Sequence, residues 1–373
     1  MIVAFVPDRF AHYRYHLVSR ISGIDDISNF FVCFDKKPSE GIPVASMPDS
    51  CSPVEIRDIF IGKYCIWQVG LFSFLHKQRP NVVIFWADVT RISTWISALY
   101  LKFFLKRRVV FWGHGFYGRE SLILFLTRKF FFRIADVFFT YGNYSRSIFI
   151  NKNVLPSSRV VAIYNSLPRP SSNLVYPLPN LTNEFGLFYI GRLIRSKDLP
   201  TLFKALSKLI EDSCYFFLKI IGDGPEKSNL IALAESLGIK DRIIFYPANN
   251  ETKEIASIIR DCSVCVSPGN VGLLAIHSMS LGKPVITHAN KTLQMPEFES
   301  IISNKNGLFF EYQNPESLAE FCESASNFCM DVVDISRLYV FPATFNDFRS
   351  FISDSSSLSR FVRASKLAFT SDA

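Results

Sequence analysis

The stretch CVSPGNVGLLAIHSMSLGKPVITH, residues 265–288, decides the reading of this chain. Its first residues are apolar and predict a buried strand that ends at Ser267. Pro268, Gly269, Asn270 and Gly272 make a loop, Leu273 opens an apolar helix over 273–281, and Gly282 stops it. Another apolar run, 284–287, follows. Strand, glycine loop, helix and strand form the repeating unit of a parallel α/β sheet. The first amides of a helix have no intrahelical acceptor, and the helix dipole adds positive potential there. Glycines at that place predict an anion close to the main chain at Gly272 and Leu273.

Working outward, the same alternation covers most of the chain. Apolar runs at 2–6, 30–34, 82–86, 109–113, 136–140 and 160–164 predict strands, with helical patterns at 92–105 and 121–134. They are continuous rather than alternating, which suits strands covered on both faces of a parallel sheet. The pattern breaks over 165–184, where prolines at 168, 170, 177 and 179 lie among Ser and Asn. It restarts with strands at 185–191, 215–222, 242–246, 263–267 and 284–287, and helices at 199–212, 226–237, 251–260 and 273–281. The expectation is an α/β chain of two doubly wound, Rossmann-like parallel-sheet domains facing across a cleft. The domains would be 1–168 and 185–340, joined by a linker at 169–184; 341–373 would be a helical segment that could pack back on the first.

Composition narrows the partners. The 373 residues are 49% hydrophobic and 20% charged, with 37 Phe and a mean hydropathy of +0.18, enough for a large core. No run is long and apolar enough for a spanning helix. The start, MIVAFVPDRF, reads as a first strand rather than a secretory leader. The net charge of +8 favours anionic partners. Eight cysteines are scattered, and Cys262 and Cys265 lack companions for a zinc set, so buried, reduced thiols in a cytosolic protein are expected.

Two more strand mouths carry polar groups. In YIGRLIRSKDLPTL (189–202) a strand ends at Gly191, leaving Arg192 and Lys197 as a fork and a point charge suited to a diphosphate. Asp198 would cap the following helix. In IIGDGPEKSNL (220–230), Gly222, Asp223, Gly224 and Pro225 give main chain that a base or ribose could approach. The spacing is not that of a nicotinamide fingerprint.

Taken together, 163–168, 189–206, 219–247, 264–287 and 306–320 resemble the GT-B glycosyltransferases, specifically the retaining family known as family 4. The resemblance implies a nucleotide-sugar donor on the C-terminal domain. Its diphosphate would meet Arg192, Lys197 and the amides near Gly272 and Leu273, beside Gly191 and Asn270. Gly222 to Pro225 would line the nucleoside pocket, with main chain near Pro247 against the base. Where the family usually has two Glu residues, this chain has Gly269 and His277; His277 could still hold a ribose hydroxyl. Downstream, 287–301 carries His288, Asn290, Gln294, Glu297 and Glu299. It is similar to a bacterial polysaccharide-assembly subgroup, and Glu297 or Glu299 would contact the sugar.

In the first half, FWGHGFYGRE (111–120) puts His114 between glycines at a strand mouth. The resemblance implies that His114 faces the donor sugar, with Arg119 and Glu120 near the acceptor. PDRFAHYRYH (7–16) adds His12 and Arg14 to the acceptor side. KFFLKRR (102–108) and RKFFFR (128–133) mix cations with rings, a pattern that could rest on an anionic leaflet. They also resemble nucleic-acid stacking patches, but no nucleic-acid fold signature accompanies them.

The expectation is a transferase moving a sugar from a nucleotide donor to a glycan acceptor, lipid-linked, in bacterial surface polysaccharide assembly. It would be cytoplasmic and peripheral to the membrane, would need no cofactor or obligatory metal, since no Asp-x-Asp occurs, and would bind no nucleic acid. Two alternatives share the scaffold: a nucleotide-sugar epimerase, and a silent sugar-nucleotide- or glycan-binding subunit.

Overall fold

The computed structural model describes residues 1–10, 14–36, 47–116, 120–165, 167, 170–174, 185–211 and 216–326. Two compact units part between Asn165 and Ser166. Most of the expected linker and all of the expected 341–373 helical segment lie outside the described residues.

The first unit contains, in order, β1 (Ile2–Val6), α1 (Tyr15–Ser22), β2 (Asn29–Phe34), β3 (Ser52–Glu55), β4 (Arg57–Ile61), β5 (Cys65–Val69), α2 (Leu71–Gln78), β6 (Val82–Trp86), α3 (Ile92–Phe103), β7 (Arg108–Gly113), α4 (Leu122–Ile134), β8 (Val137–Thr140), α5 (Asn143–Asn151) and β9 (Val160–Ala162). Seven strands form a parallel sheet in the order β3-β2-β1-β6-β7-β8-β9. The order reverses at β1: the chain first builds β2 and β3 on one side of it, then β6 to β9 on the other, and such a switch point opens a crevice at the strands' carboxyl ends. The core is dominated by rings, with Phe85, Phe111, Phe131, Phe132, Phe138 and Phe149 all buried.

Sequence reading missed β3 and the antiparallel hairpin β4–β5. Their residues are mostly exposed, so the hydrophobic signal that marks the central strands is weak there. α4 starts where expected, because Ser121 caps it by accepting from the Leu124 amide.

The second unit continues with β10 (Phe185–Ile190), α6 (Leu199–Glu211), β11 (Phe216–Ile221), α7 (Lys227–Ser236), β12 (Ile243–Tyr246), α8 (Thr252–Ile258), β13 (Val264–Ser267), α9 (Leu274–Ser280), β14 (Val285–His288), β15 (Gly307–Phe310) and α10 (Pro315–Ser326). Its parallel sheet runs β12-β11-β10-β13-β14-β15 and reverses between β10 and β13. α6 buries Leu199, Leu202, Phe203, Leu206 and Leu209, the three- and four-residue spacing of a helix face against a sheet. The two Rossmann-like sheets confirm the expected α/β class.

Candidate functional site

In the second unit, the loops after β10, β11, β13 and β14 interlock at the carboxyl ends of the strands. The Leu193 amide donates to Asp223 O at 2.8 Å, and the Glu226 amide to Leu193 O at 3.0 Å. The Gly269 amide donates to Lys197 O at 3.0 Å. Gln294 ties the last two loops: its Nε2 donates to Thr287 Oγ1 and His288 O, both at 2.9 Å, and its Oε1 accepts from the Val271 amide at 2.9 Å.

The glycines acquire a different reason from the one read off the sequence. A Cβ on Gly269 would lie 2.2 Å from Ser196 O and 2.7 Å from Lys197 Cα. A Cβ on Gly222 would lie 2.0 Å from Gly191 O, and one on Gly224 would lie 2.4 Å from Leu193 O. These three residues are glycine because another stretch of this chain's own main chain presses against them, not to leave room for a ligand. Gly272 fits the earlier expectation better. Its φ is +55°, only Met295 Cγ lies within contact range of an added Cβ, at 3.9 Å, and its amide donates to no acceptor among the described residues. α9 is also shorter than the expected helix, seven residues long, with Leu273 as its N-cap.

The interlock aims Lys197. Its Nζ donates to Asn270 O at 2.7 Å and to Asn270 Oδ1 at 2.6 Å. Burial pulls the ammonium down to about 8; the Glu297 carboxylate opposes this and the Arg192 cation reinforces it. Arg192, Lys197, Asn270 and Glu297 are therefore electrostatic neighbours. Arg192 itself is exposed, and Tyr189 Oη holds its carbonyl at 3.2 Å. Glu297 is only 6% exposed, on a 3-10 turn over Pro296–Ser300, with Glu299 half-buried beyond it.

Two histidines are held neutral. His277, on α9, is pushed by burial to about 4, and its Nε2 has no partner among the described residues. His288 is also lowered by burial to about 4; its Nδ1 accepts from the Asn290 amide at 3.2 Å, so the ring proton sits on Nε2. On the other side, Asp223 is largely exposed, its Oδ1 accepting from the Gly224 amide at 2.8 Å. Pro225 and Pro247 are exposed too, and Pro247 follows Tyr246, whose carbonyl accepts from the Gly222 amide at 3.2 Å.

In the first unit, the corresponding mouth is lined with rings. His114 follows β7, with Tyr141 4.7 Å away between ring centroids and Trp86 5.8 Å away edge-on. Arg14 does not stand open to an acceptor, as the sequence suggested. It is 6% exposed, lies over Trp86, Trp112 and Phe5, and donates from Nη2 to Tyr141 Oη at 3.0 Å. Burial first, then the Arg14 charge, lowers His114 to about 4 against the pull of Asp8. Glu120 pairs with Arg128 of α4, which occupies its carboxylate. His12 and Arg119 lie outside the described residues.

Sequence reading missed Tyr141 and Trp86. Each comes from a different strand mouth, and only the sheet order brings them beside His114. Among the described residues the cysteines are free, and all but Cys65 are buried. No described helix is long and apolar enough to cross a membrane.

Comparison with known proteins agrees with this architecture. Residues 178–327 match the family model described as glycosyl transferases group 1. A curated relative, the lipopolysaccharide core biosynthesis glycosyltransferase LpsE of Rhizobium meliloti (strain 1021), is 24% identical over 192 residues, 51% of this chain and 49% of that protein. The chain spans about a third to a half of the length of the first curated relatives it matches. Among solved structures, the lipopolysaccharide outer core galactosyltransferase WaaB aligns with a TM-score of 0.71 at 16% identity, covering 94% of this chain and 99% of that one. HepE of Anabaena, solved with UDP and glucose, aligns with a TM-score of 0.61 at 14% identity, covering all of both chains. The chain therefore has the GT-B fold, and the match to the glycosyl transferases group 1 model falls on its second unit.

Proposed function

We propose that this protein is a glycosyltransferase that moves a sugar from a nucleotide-sugar donor to a glycan acceptor, lipid-linked, in bacterial surface polysaccharide assembly, with retention of anomeric configuration. The observation that carries this reading is the Lys197 ammonium, held by Asn270 beside Glu297 and Arg192 at the carboxyl end of the second sheet. The names of LpsE and WaaB, and the UDP and glucose bound to HepE, point the same way.

As the bond from sugar to diphosphate stretches, negative charge grows on the leaving phosphate. Lys197 and Arg192 stabilise that charge, helped by the amides at Gly272 and Leu273. Fixed donors of this kind are worth most at the transition state because they need no reorganisation. With its pKa near 8, Lys197 is about nine-tenths protonated at pH 7. Its low pKa leaves it responsive, since an arriving diphosphate restores the proton's hold. The nucleoside lies along Asp223, Pro225 and Pro247. Neutral His277 binds a ribose hydroxyl, and Glu297 or Glu299 binds a sugar hydroxyl in place of the carboxylate that Gly269 lacks. The resemblance assigns His114 of the first unit to the donor sugar, a role in which a neutral imidazole would be a hydrogen-bonding partner rather than an acid.

The second finer part of the proposal is a peripheral contact with an anionic membrane face. α4 exposes Leu122, Ile123, Leu126 and Phe130 at 71%, 79%, 53% and 72%, and α3 ends on exposed Phe103 and Phe104. Neither helix contains an acidic residue, while Lys102, Lys106, Lys129 and Arg133 lie on or beside them. Apolar side chains rimmed by cations suit an interface rich in acidic lipid.

Product analysis with a sugar nucleotide tests the activity. Transfer that requires a glycan acceptor supports the proposal. Consumption of donor without acceptor indicates an epimerase, and nucleotide binding without any turnover indicates a silent subunit.

A further inference from the structure

The mouth of the first sheet contains a charge that packing alone does not explain. The Arg14 guanidinium sits 5.1 Å from the Trp86 ring centre, 5.2 Å from that of Trp112 and 6.0 Å from that of Phe5. An aliphatic side chain of similar length would fill that space without the cost of removing a cation from water. The guanidinium reaches across the sheet mouth and donates to Tyr141 Oη, 127 positions away in sequence. Arginine only donates, so this contact fixes the phenol oxygen as the acceptor and turns its own proton elsewhere. The Tyr141 ring then lies 4.7 Å from the His114 imidazole at 39°, and Trp86 closes the other side edge-on, at 5.8 Å and 85°. Trp86 and Tyr141 are themselves 6.1 Å apart, so the imidazole leans on two rings that the same guanidinium touches.

We propose that Arg14 is a positioning residue which, through Tyr141 and Trp86, fixes the orientation of the His114 imidazole, so that it offers the sugar a hydrogen-bonding edge. This deepens the transferase reading, because it rests on His114 meeting the donor sugar. Among the described residues, Arg14, ahead of α1, and Asp8, from the loop after β1, act on the imidazole's charge, and the phenol of Tyr141 faces it from the end of β8. The cation and the carboxylate oppose each other, and the cation is the larger of the two.

The test follows the His114 ring carbon by NMR through a pH titration of the full chain with labelled histidine, assigned by His114→Gln. In the unaltered protein the imidazole titrates far below the ordinary histidine range and carries a ring-current shift from Tyr141 and Trp86. In Arg14→Met its midpoint rises by at least about half a pH unit and the ring-current shift changes, because the like charge and the tie to Tyr141 are both gone. Arg14→Lys returns the midpoint toward its original value while the ring-current shift stays altered, since a single ammonium keeps the charge but not the fork. Tyr141→Phe, which retains the ring and loses only the acceptor, also alters that shift, and serves if Arg14→Met does not fold. With donor and acceptor, Arg14→Met lowers kcat at least about tenfold with little change in donor KM. A His114 signal that keeps its midpoint and its ring-current shift in both Arg14→Met and Tyr141→Phe overturns the proposal. The two readings separate cleanly: full activity in His114→Gln sinks the role of His114 in transfer, while the titration still decides whether Arg14 sets its state.

Discussion

Replacing Gly269 by Ala probes the interlocked loops most sharply. The new methyl would sit 2.2 Å from Ser196 O and 2.7 Å from Lys197 Cα, both main-chain atoms that no rotamer change can move. Ordinary contact needs more than 3 Å, so the 196–197 segment must retreat by roughly 1 Å. That shift breaks the bond from the Gly269 amide to Lys197 O, now 3.0 Å, and stretches the Lys197 contacts with Asn270, now 2.7 and 2.6 Å. Overpacking costs about 1–3 kcal/mol. The lost main-chain bond and the weakened charged one add about 1–3 kcal/mol. The expected loss of stability is therefore roughly 2–6 kcal/mol, larger than for most surface substitutions. Gly272→Ala is the control. An added Cβ there meets only Met295 Cγ, at an ordinary 3.9 Å, so only its left-handed backbone is strained, by about 1–2 kcal/mol, and Lys197 stays in place. Thermal melting and calorimetric titration with a nucleoside diphosphate provide the readout. Gly269→Ala should melt lower than Gly272→Ala and bind diphosphate at least about tenfold more weakly than the unaltered protein. A Gly269→Ala variant that melts and binds normally would refute the reasoning, because the loops would then not depend on that contact.

Other outcomes follow from the same structure. Lys283 is fully buried and its ammonium is lowered by burial to about 8 from 10.5, so folding penalises the charged form; the penalty is complete below about pH 8 and fades as pH rises toward 10.5. Lys283→Met should therefore raise the melting temperature at pH 7, by up to about 3 kcal/mol of stability, and the gain should shrink by pH 10; a gain independent of pH would contradict this. Gln294→Ala removes three bonds that tie the β13 and β14 loops, and should raise donor KM with a modest loss of stability; unchanged KM would show that the tie is decorative. The full chain should sediment with vesicles containing acidic phospholipid and release in high salt, while Leu126→Glu combined with Phe130→Glu should abolish sedimentation; equal binding to neutral vesicles would exclude the membrane contact.

The sheets were legible because their strands are buried on both faces. IVAFV, VVIFW and VCVS carry no polar alternation, and that continuity separates a covered parallel strand from an exposed one. SPVE and RDIFI were not legible, since an exposed edge strand and hairpin bury too little to leave a pattern. The cations Arg192 and Lys197 could be found from their place after a strand. The meaning of the glycines could not. Glycine marks a close approach, but the sequence does not say whether a ligand or a distant loop approaches, and at Gly269, Gly222 and Gly224 it is the loop. Arg14 shows the same limit. Its position near a strand mouth was readable, but the rings that enclose it come from β1, β6 and β7 and meet only in the folded sheet.

In the bound state the Lys197 proton is shared with the diphosphate. Calorimetric titration of UDP, ADP and GDP between pH 6.5 and 9.5, in buffers of differing ionisation heat, tests it directly. The tightest binder should lose affinity above about pH 8, take up a proton on binding there, and show neither effect in Lys197→Met, which should bind at least about tenfold more weakly at pH 7. An affinity that is flat across this range, or a Lys197→Met variant that binds as tightly as the unaltered protein, would contradict it.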